Sequence, residues 1–206
     1  MLYSKVSTGL FETAEAFLDK SIKILREDRH AAQRLRMSAQ SVADTYITSE
    51  TPPYLSTGDA ANQWVSVVAM KSLVSRDVTS YAESARNENA PLSPPMSMFT
   101  FQTGVSYVNF VNAMNSGTIL ANVTISRVHH GGDAGVITTT ESHSYSNCQI
   151  LIINKEDIGN VSIACVIVQA NAITLSYSPV PVGGGAPTGS YVATLSATAG
   201  TTYDAG

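Results

Sequence analysis

Residues 148–168, CQILIINKEDIGNVSIACVIV, decide the fold. Two apolar runs flank Lys155-Glu156-Asp157-Ile158-Gly159, the pattern of two strands joined by a tight connection. In the second run both faces are apolar: Val161, Ile163, Cys165 and Ile167 fall on one side, and Ala164, Val166 and Val168 on the other. Ile150–Ile153 is likewise apolar on both sides. Strands of this kind occupy the middle of a sandwich or lie in a sheet covered by helices.

The same grammar of valine, isoleucine, threonine, serine and tyrosine extends outward over Thr100–Ser178. It predicts strands near 99–111, 118–129, 135–145, 148–154 and 160–177, and a weaker one near 190–198. The connections fall at Asn112–Gly117, His130–Ala134, a break near Ser146-Asn147 and Lys155–Gly159. Connections this short imply antiparallel pairing in a β sandwich or barrel, because parallel strands require long crossovers. Thr138–Ser146, TTTESHSYS, is polar at nearly every position. Such a strand suits an edge, a wall lined by water, or a surface facing another copy of the chain. Pro179–Gly206 is rich in proline, glycine, alanine, serine and threonine and reads as an extended, flexible C-terminal tail.

Upstream, Asn87–Pro95 (NENAPLSPP) is a proline-broken boundary, and before it the pattern is helical. From Leu10 to Ile47 a heptad places Phe11, Leu18, Leu25, Ala32, Ala39 and Tyr46 at position a and Ala14, Leu35 and Val42 at d, with Ser21 and Asp28 as faults. A helix of that length spans roughly 57 Å and must lay its stripe on a second helix, on the β domain or on another subunit. After the prolines of Thr48–Asp59, a second helix is expected over Ala60–Asn87, carrying Trp64, Val68, Leu73, Val78 and Tyr81. The expected class is α+β: an N-terminal α-helical hairpin region (1–90), a mainly antiparallel β-rich domain (97–180) and the tail (181–206).

Charge is divided unevenly. Residues 97–206 carry only Arg127 and Lys155 against Asp133, Glu141, Glu156, Asp157 and Asp204, whereas Lys20, Lys23, Arg26, Arg29, Arg34 and Arg36 make up six of the chain's twelve basic residues. A charge-poor half must be covered or solvated by hydroxyls and amides. The basic cluster is the place for an anionic partner or membrane surface, although Asp19, Glu27 and Asp28 dilute it and a solvated helix face is the simpler reading. With a net charge of −4 and no nucleic-acid motif, the chain does not read as a nucleic-acid binder.

The chemistry-bearing residues form no recognisable centre. His129-His130-Gly-Gly-Asp133 is a turn whose adjacent imidazoles point to opposite faces, unsuited to one metal ion. No serine lies in a nucleophile elbow, and Gly183–Gly185 opens no phosphate loop. No catalytic, metal or cofactor site is expected. Cys148 and Cys165 lie in apolar runs and read as buried thiols. The first residues lack the apolar core of an export signal and no stretch is long enough for a membrane helix. The expectation is synthesis in the cytoplasm without a signal peptide, then incorporation into a particle or release by lysis or a dedicated secretion machine.

These features favour a self-assembling structural subunit of the virion, tail, tube or filament kind, acting as a homo-oligomer through Phe11, Leu18, Leu25, Leu35, Val42, Trp64, Tyr145 and Tyr191. Two alternatives stand beside it. A membrane-active pore-forming protein would insert Thr118–His129 with Val136–Tyr145, and a surface-binding module would use Tyr145, Tyr177, Tyr191 or Tyr203.

Overall fold

A computed structural model describes residues 2–27, 45–48, 65–75, 92–131, 136–158, 161–179, 188–197 and 200–204. In chain order the elements are α1 (Leu2–Glu27), β1 (Thr45–Thr48), β2 (Val65–Leu73), β3 (Met96–Gln102), α2 (Val105–Ser116), β4 (Leu120–Gly131), β5 (Val136–Ile158), β6 (Val161–Gln169), β7 (Ala172–Tyr177), β8 (Tyr191–Ser196) and β9 (Gly200–Asp204).

The stretch that decides the fold forms the β5–β6 ladder. Its partners run Asp157↔Ser162, Lys155↔Ala164 and Ile150↔Val168 to Gln149↔Gln169. The same register resumes beyond Ala170-Asn171, where β7 pairs with the first half of β5 from Ser146↔Ala172 to Glu141↔Tyr177. Residues 141–177 are therefore one long hairpin with a bend in each arm. In β5 the bend falls at Asn147, whose φ of 52° is left-handed, a conformation asparagine tolerates better than most side chains. The break expected near Ser146-Asn147 is thus a kink within a single strand.

All pairings among the described strands are antiparallel, in the order β4-β1-β2-β3-β6-β5-β7-β8-β9, with β4 also paired to β5. β4 carries β1 on one edge and β5 on the other, so β9 is the strand at the end of the order, paired among the described strands with β8 alone. The mainly antiparallel architecture matches the reading of the sequence.

Two layers of core lie on either side of β3 and β6. Toward α1 the sheet presents Met98, Ile163, Cys165 and Ile167, which pack against Ala14, Leu18 and Ile22 with Phe17 and Leu25 beside them. On the opposite side Phe99, Phe101, Ala164, Val166 and Val168 join Phe110, Ala113, Leu120, Val123, Ile125, Tyr145 and Ile173. The rings of Phe99, Phe101 and Phe110 form a mutual triangle with centroids 5.6–6.0 Å apart. This is the two-faced burial that alternation in β6 predicts, and the cover is α1 of the same chain.

Among the described residues the expected helical hairpin is not seen. Residues 65–73 of the expected second helix form β2, paired with β3 from Val67↔Phe101 to Leu73↔Met96, and residues 45–48 at the end of the expected first helix form β1 between β2 and β4. Valine at 65, 67 and 68 fits a pleated surface better than a helix, and pairing with β3 decides the matter. The strand expected over 99–111 ends at Gln102, and α2 takes up both its remainder and the expected Asn112–Gly117 loop. Gly117 stops α2 at φ 66°, its amide bonding the Met114 carbonyl at 3.2 Å while Thr118 bonds Ala113 at 2.9 Å, a Schellman closure. The segment expected to be a flexible tail contributes β8 and β9, because β7 offers an edge with matching alternation.

Candidate assembly surface

The sheet made of β4, β5, β7 and β8 has two unlike faces. One carries the core row Val123–Tyr145–Ile173–Leu195, each pair directly opposed. The other is a lattice of hydroxyls. Thr124 Oγ1 meets Ser144 Oγ at 3.0 Å, Ser142 meets Ser176 at 2.6 Å, Thr174 meets Thr194 at 3.1 Å, and Ser146 donates to Asn122 Oδ1 at 3.1 Å. These side chains are half-buried. The charge-poor composition of this half is thus realised as a face that satisfies its polar groups laterally, strand to strand.

At the rim of the core-facing side the pattern turns polar. Arg127, Glu141, Tyr177 and Tyr191 form one cross-strand row over β4, β5, β7 and β8. Arg127 Nε lies 3.6 Å from Glu141 Oε2. Glu141 Oε1 takes His143 Nε2 at 2.9 Å, and His143 Nδ1 lies 3.3 Å from Ser72 Oγ on β2. Ser72 Oγ also bonds the hydroxyl of Tyr145, which is fully buried. Burial raises the Tyr145 phenol above its ordinary range against the opposing effect of the Ser72 bond. The polar strand 138–146 thus uses alternate residues for a half-buried relay and for the hydroxyl lattice.

The largest departure from ordinary surface chemistry is α2. Ser106, Phe110 and Ala113 face the core, while Val108, Val111 and Met114 point outward with 53%, 38% and 44% exposure, and Ile119 follows at 61%. An apolar row on the solvent side of a helix makes it a candidate contact surface. Sequence reading assigned Val108 and Val111 to a strand and missed this face. The signal available was the Ser106-Phe110-Ala113 spacing of four and three ahead of Gly117.

The residues singled out from the sequence scatter. Leu18 is buried under the sheet with Leu25 at its margin, and Tyr145 lies inside the main core, so the chain itself uses these three. Phe11 lies on α1. Tyr191 is 61% exposed, opposite Tyr177. Leu35, Val42, Trp64, Arg29, Arg34 and Arg36 fall outside the described residues. Lys20, Lys23 and Arg26 are exposed, and Lys23 sits 3.9 Å from Glu27 one turn away, which leaves a mixed rather than a basic face. Among the described residues no group of ligating side chains could hold a metal ion, and no helix is long and apolar enough to cross a membrane. Both cysteines are free and buried, their thiols pushed up to about 12 by burial.

No protein-family model matches this sequence, and neither does any curated protein. Solved structures do. A mutant form of Hcp1 from E. coli EAEC 042 aligns with 75% of this chain and 99% of its own, at 14% identity and a TM-score of 0.53. This is an Hcp-like fold. Hcp1 from Salmonella typhimurium matches over 77% of this chain and 97% of its own, at 11% identity and a TM-score of 0.53. A protein described as a type six secretion system protein matches 73% of this chain and 94% of its own, at 14% identity and a TM-score of 0.55. At such identities the likeness concerns the fold, and no residue role passes from those proteins to this one.

Proposed function

We propose that the chain is a self-assembling structural subunit of the tube type, released by a dedicated secretion machine, whose copies meet through surfaces that the Hcp-like fold leaves bare. The observation that carries the reading is the outward apolar row of α2, Val108, Val111 and Met114, in a fold similar to that of a protein described as a type six secretion system protein. Apolar residues placed outward on a helix gain from burial against another molecule about 25 cal/mol for each Å² removed from water. The hydroxyl lattice complements this arrangement, because an uncharged wetted face serves as a wall. The role requires no reaction.

Sedimentation and negative-stain imaging of the purified protein test the reading. Regular oligomers or tubes are expected, and Val111→Asp is expected to disperse them while leaving the melting temperature unchanged. A concentration-independent monomer would overturn the proposal. A second reading, a surface-binding module, rests on Tyr177 and Tyr191, directly opposed and 53% and 61% exposed. Retention on immobilised glycans that Tyr191→Ala abolishes would favour it.

A further inference from the structure

We propose that Ser72 is an activated hydroxyl, an acceptor of acyl groups from activated carboxylic esters, with His143 as its base and Glu141 as the residue that positions the imidazole. The geometry is a contiguous relay across two strands that are not neighbours in the sheet. Ser72 Oγ on β2 lies 3.3 Å from His143 Nδ1, and His143 Nε2 lies 2.9 Å from Glu141 Oε1 on β5. A carboxylate only accepts, so Glu141 fixes the proton on Nε2 and leaves the Nδ1 lone pair toward Ser72. Arg127 holds the other carboxylate oxygen at 3.6 Å. On the remaining side of Ser72 the buried Tyr145 hydroxyl shares a hydrogen bond with Oγ in which either oxygen can be the donor; with Tyr145 donating, the serine's own proton is free for the imidazole. These are the relations of nucleophile to base and of base to orienting group that make a serine reactive. The relay opens outward: the His143 side chain is 19% exposed, Glu141 is 40% exposed, and Tyr177 lies beside Glu141 at the rim.

The step balances with the ester as acyl donor. Ser72 Oγ attacks the carbonyl carbon and its proton passes to His143 Nδ1. The C–O bond to the leaving alcohol then breaks, the alcohol takes that proton from the imidazole, and an ester of Ser72 remains.

p-Nitrophenyl acetate and a fluorophosphonate probe, followed by peptide mass mapping of the full-length protein, test this. One acetyl or phosphonyl group per chain is expected, located on Ser72. The rate is expected to fall about a hundredfold in His143→Gln, the scale of a lost general base. Glu141→Gln is expected to slow acylation at an unchanged melting temperature, because an amide in place of the carboxylate no longer holds the imidazole in one tautomer, and Glu141→Asp to restore part of the rate. A purely structural carboxylate would instead lower the melting temperature and leave the rate of the folded chain in place. Absence of an adduct, adducts spread over surface hydroxyls, or a His143→Gln rate equal to the wild type would each overturn the proposal. Mapping on the unmodified chain decides the matter even where a variant fails to fold. The readout does not depend on oligomeric state, so it stands or falls separately from assembly.

Discussion

Ser21 interrupts the apolar stripe of α1, and the interruption has a partner. Its hydroxyl donates to the Phe17 carbonyl at 2.8 Å and accepts from Thr100 Oγ1 at 2.9 Å, where both side chains are buried. Ser21→Ala leaves the buried Thr100 hydroxyl only the long 3.5 Å contact to the Ala69 carbonyl and is expected to cost about 1 kcal/mol in urea denaturation, with Thr100→Val in the same chain recovering part of the loss. The two thiols behave oppositely to reactive cysteines. Pushed up to about 12 by burial, Cys148 and Cys165 stay protonated through mildly alkaline pH and are expected to resist iodoacetamide at pH 8 until the chain unfolds. A raised folded-state pKa contributes stability that is complete below the ordinary thiol range and lost as pH climbs toward 12, so the urea midpoint should fall above pH 9. Asp157 has the opposite sign. Its carboxyl is held below the usual range first by the Ser162 hydroxyl and then by Lys155, so its contribution is present at neutral pH and disappears on acidification.

At the scale of elements, α1 shows both the reach and the limit of sequence pattern. The heptad located the buried Ala14 and Leu18, but the stripe is wider, running through Phe17, Ser21, Ile22 and Leu25, because a sheet accepts a broad helical face whereas a coiled-coil seam is narrow. Leu18→Asp places an unpaired charge under the sheet and is expected to cost about 3 kcal/mol or more. The β5–β6 hairpin was legible because its strands are apolar on both sides and its turn is short. The strand at Val65–Leu73 was not, because Ala69, Met70 and Lys71 suit a helix as well, and only pairing with β3 separates the two choices. α2 was hidden for the converse reason: Val105, Tyr107, Val108 and Val111 favour strands, and what holds the helix is Phe110 and Ala113 in the core and Gly117 at its end. Gly117→Ala forces a side chain into a left-handed position and is expected to lower stability by about 1 kcal/mol, read as a drop in melting temperature.

At the scale of the molecule, the charge-poor half divides into a doubly covered centre and a face of laterally bonded hydroxyls. Neither the outward apolar row of α2 nor the Ser72 relay was visible in sequence order, since both depend on which side of an element a residue occupies and which distant strand lies across from it. Removing residues 188–206 would unpair β7 along its outer edge, and the shortened chain is expected to aggregate, measurable by light scattering at constant protein concentration. The long hairpin over 141–177 also sets a sequence of events. Its pairs close outward from a short turn, so each new contact spans little additional chain. The pairing of β1 with β4, Thr45 opposite Arg127, must instead bring together positions some eighty residues apart. Loop closure on that scale is costly before it is rewarded. The hairpin should therefore zip early and the capture of β1 should come late, leaving the most distant pairing in the sheet as the slow step of refolding.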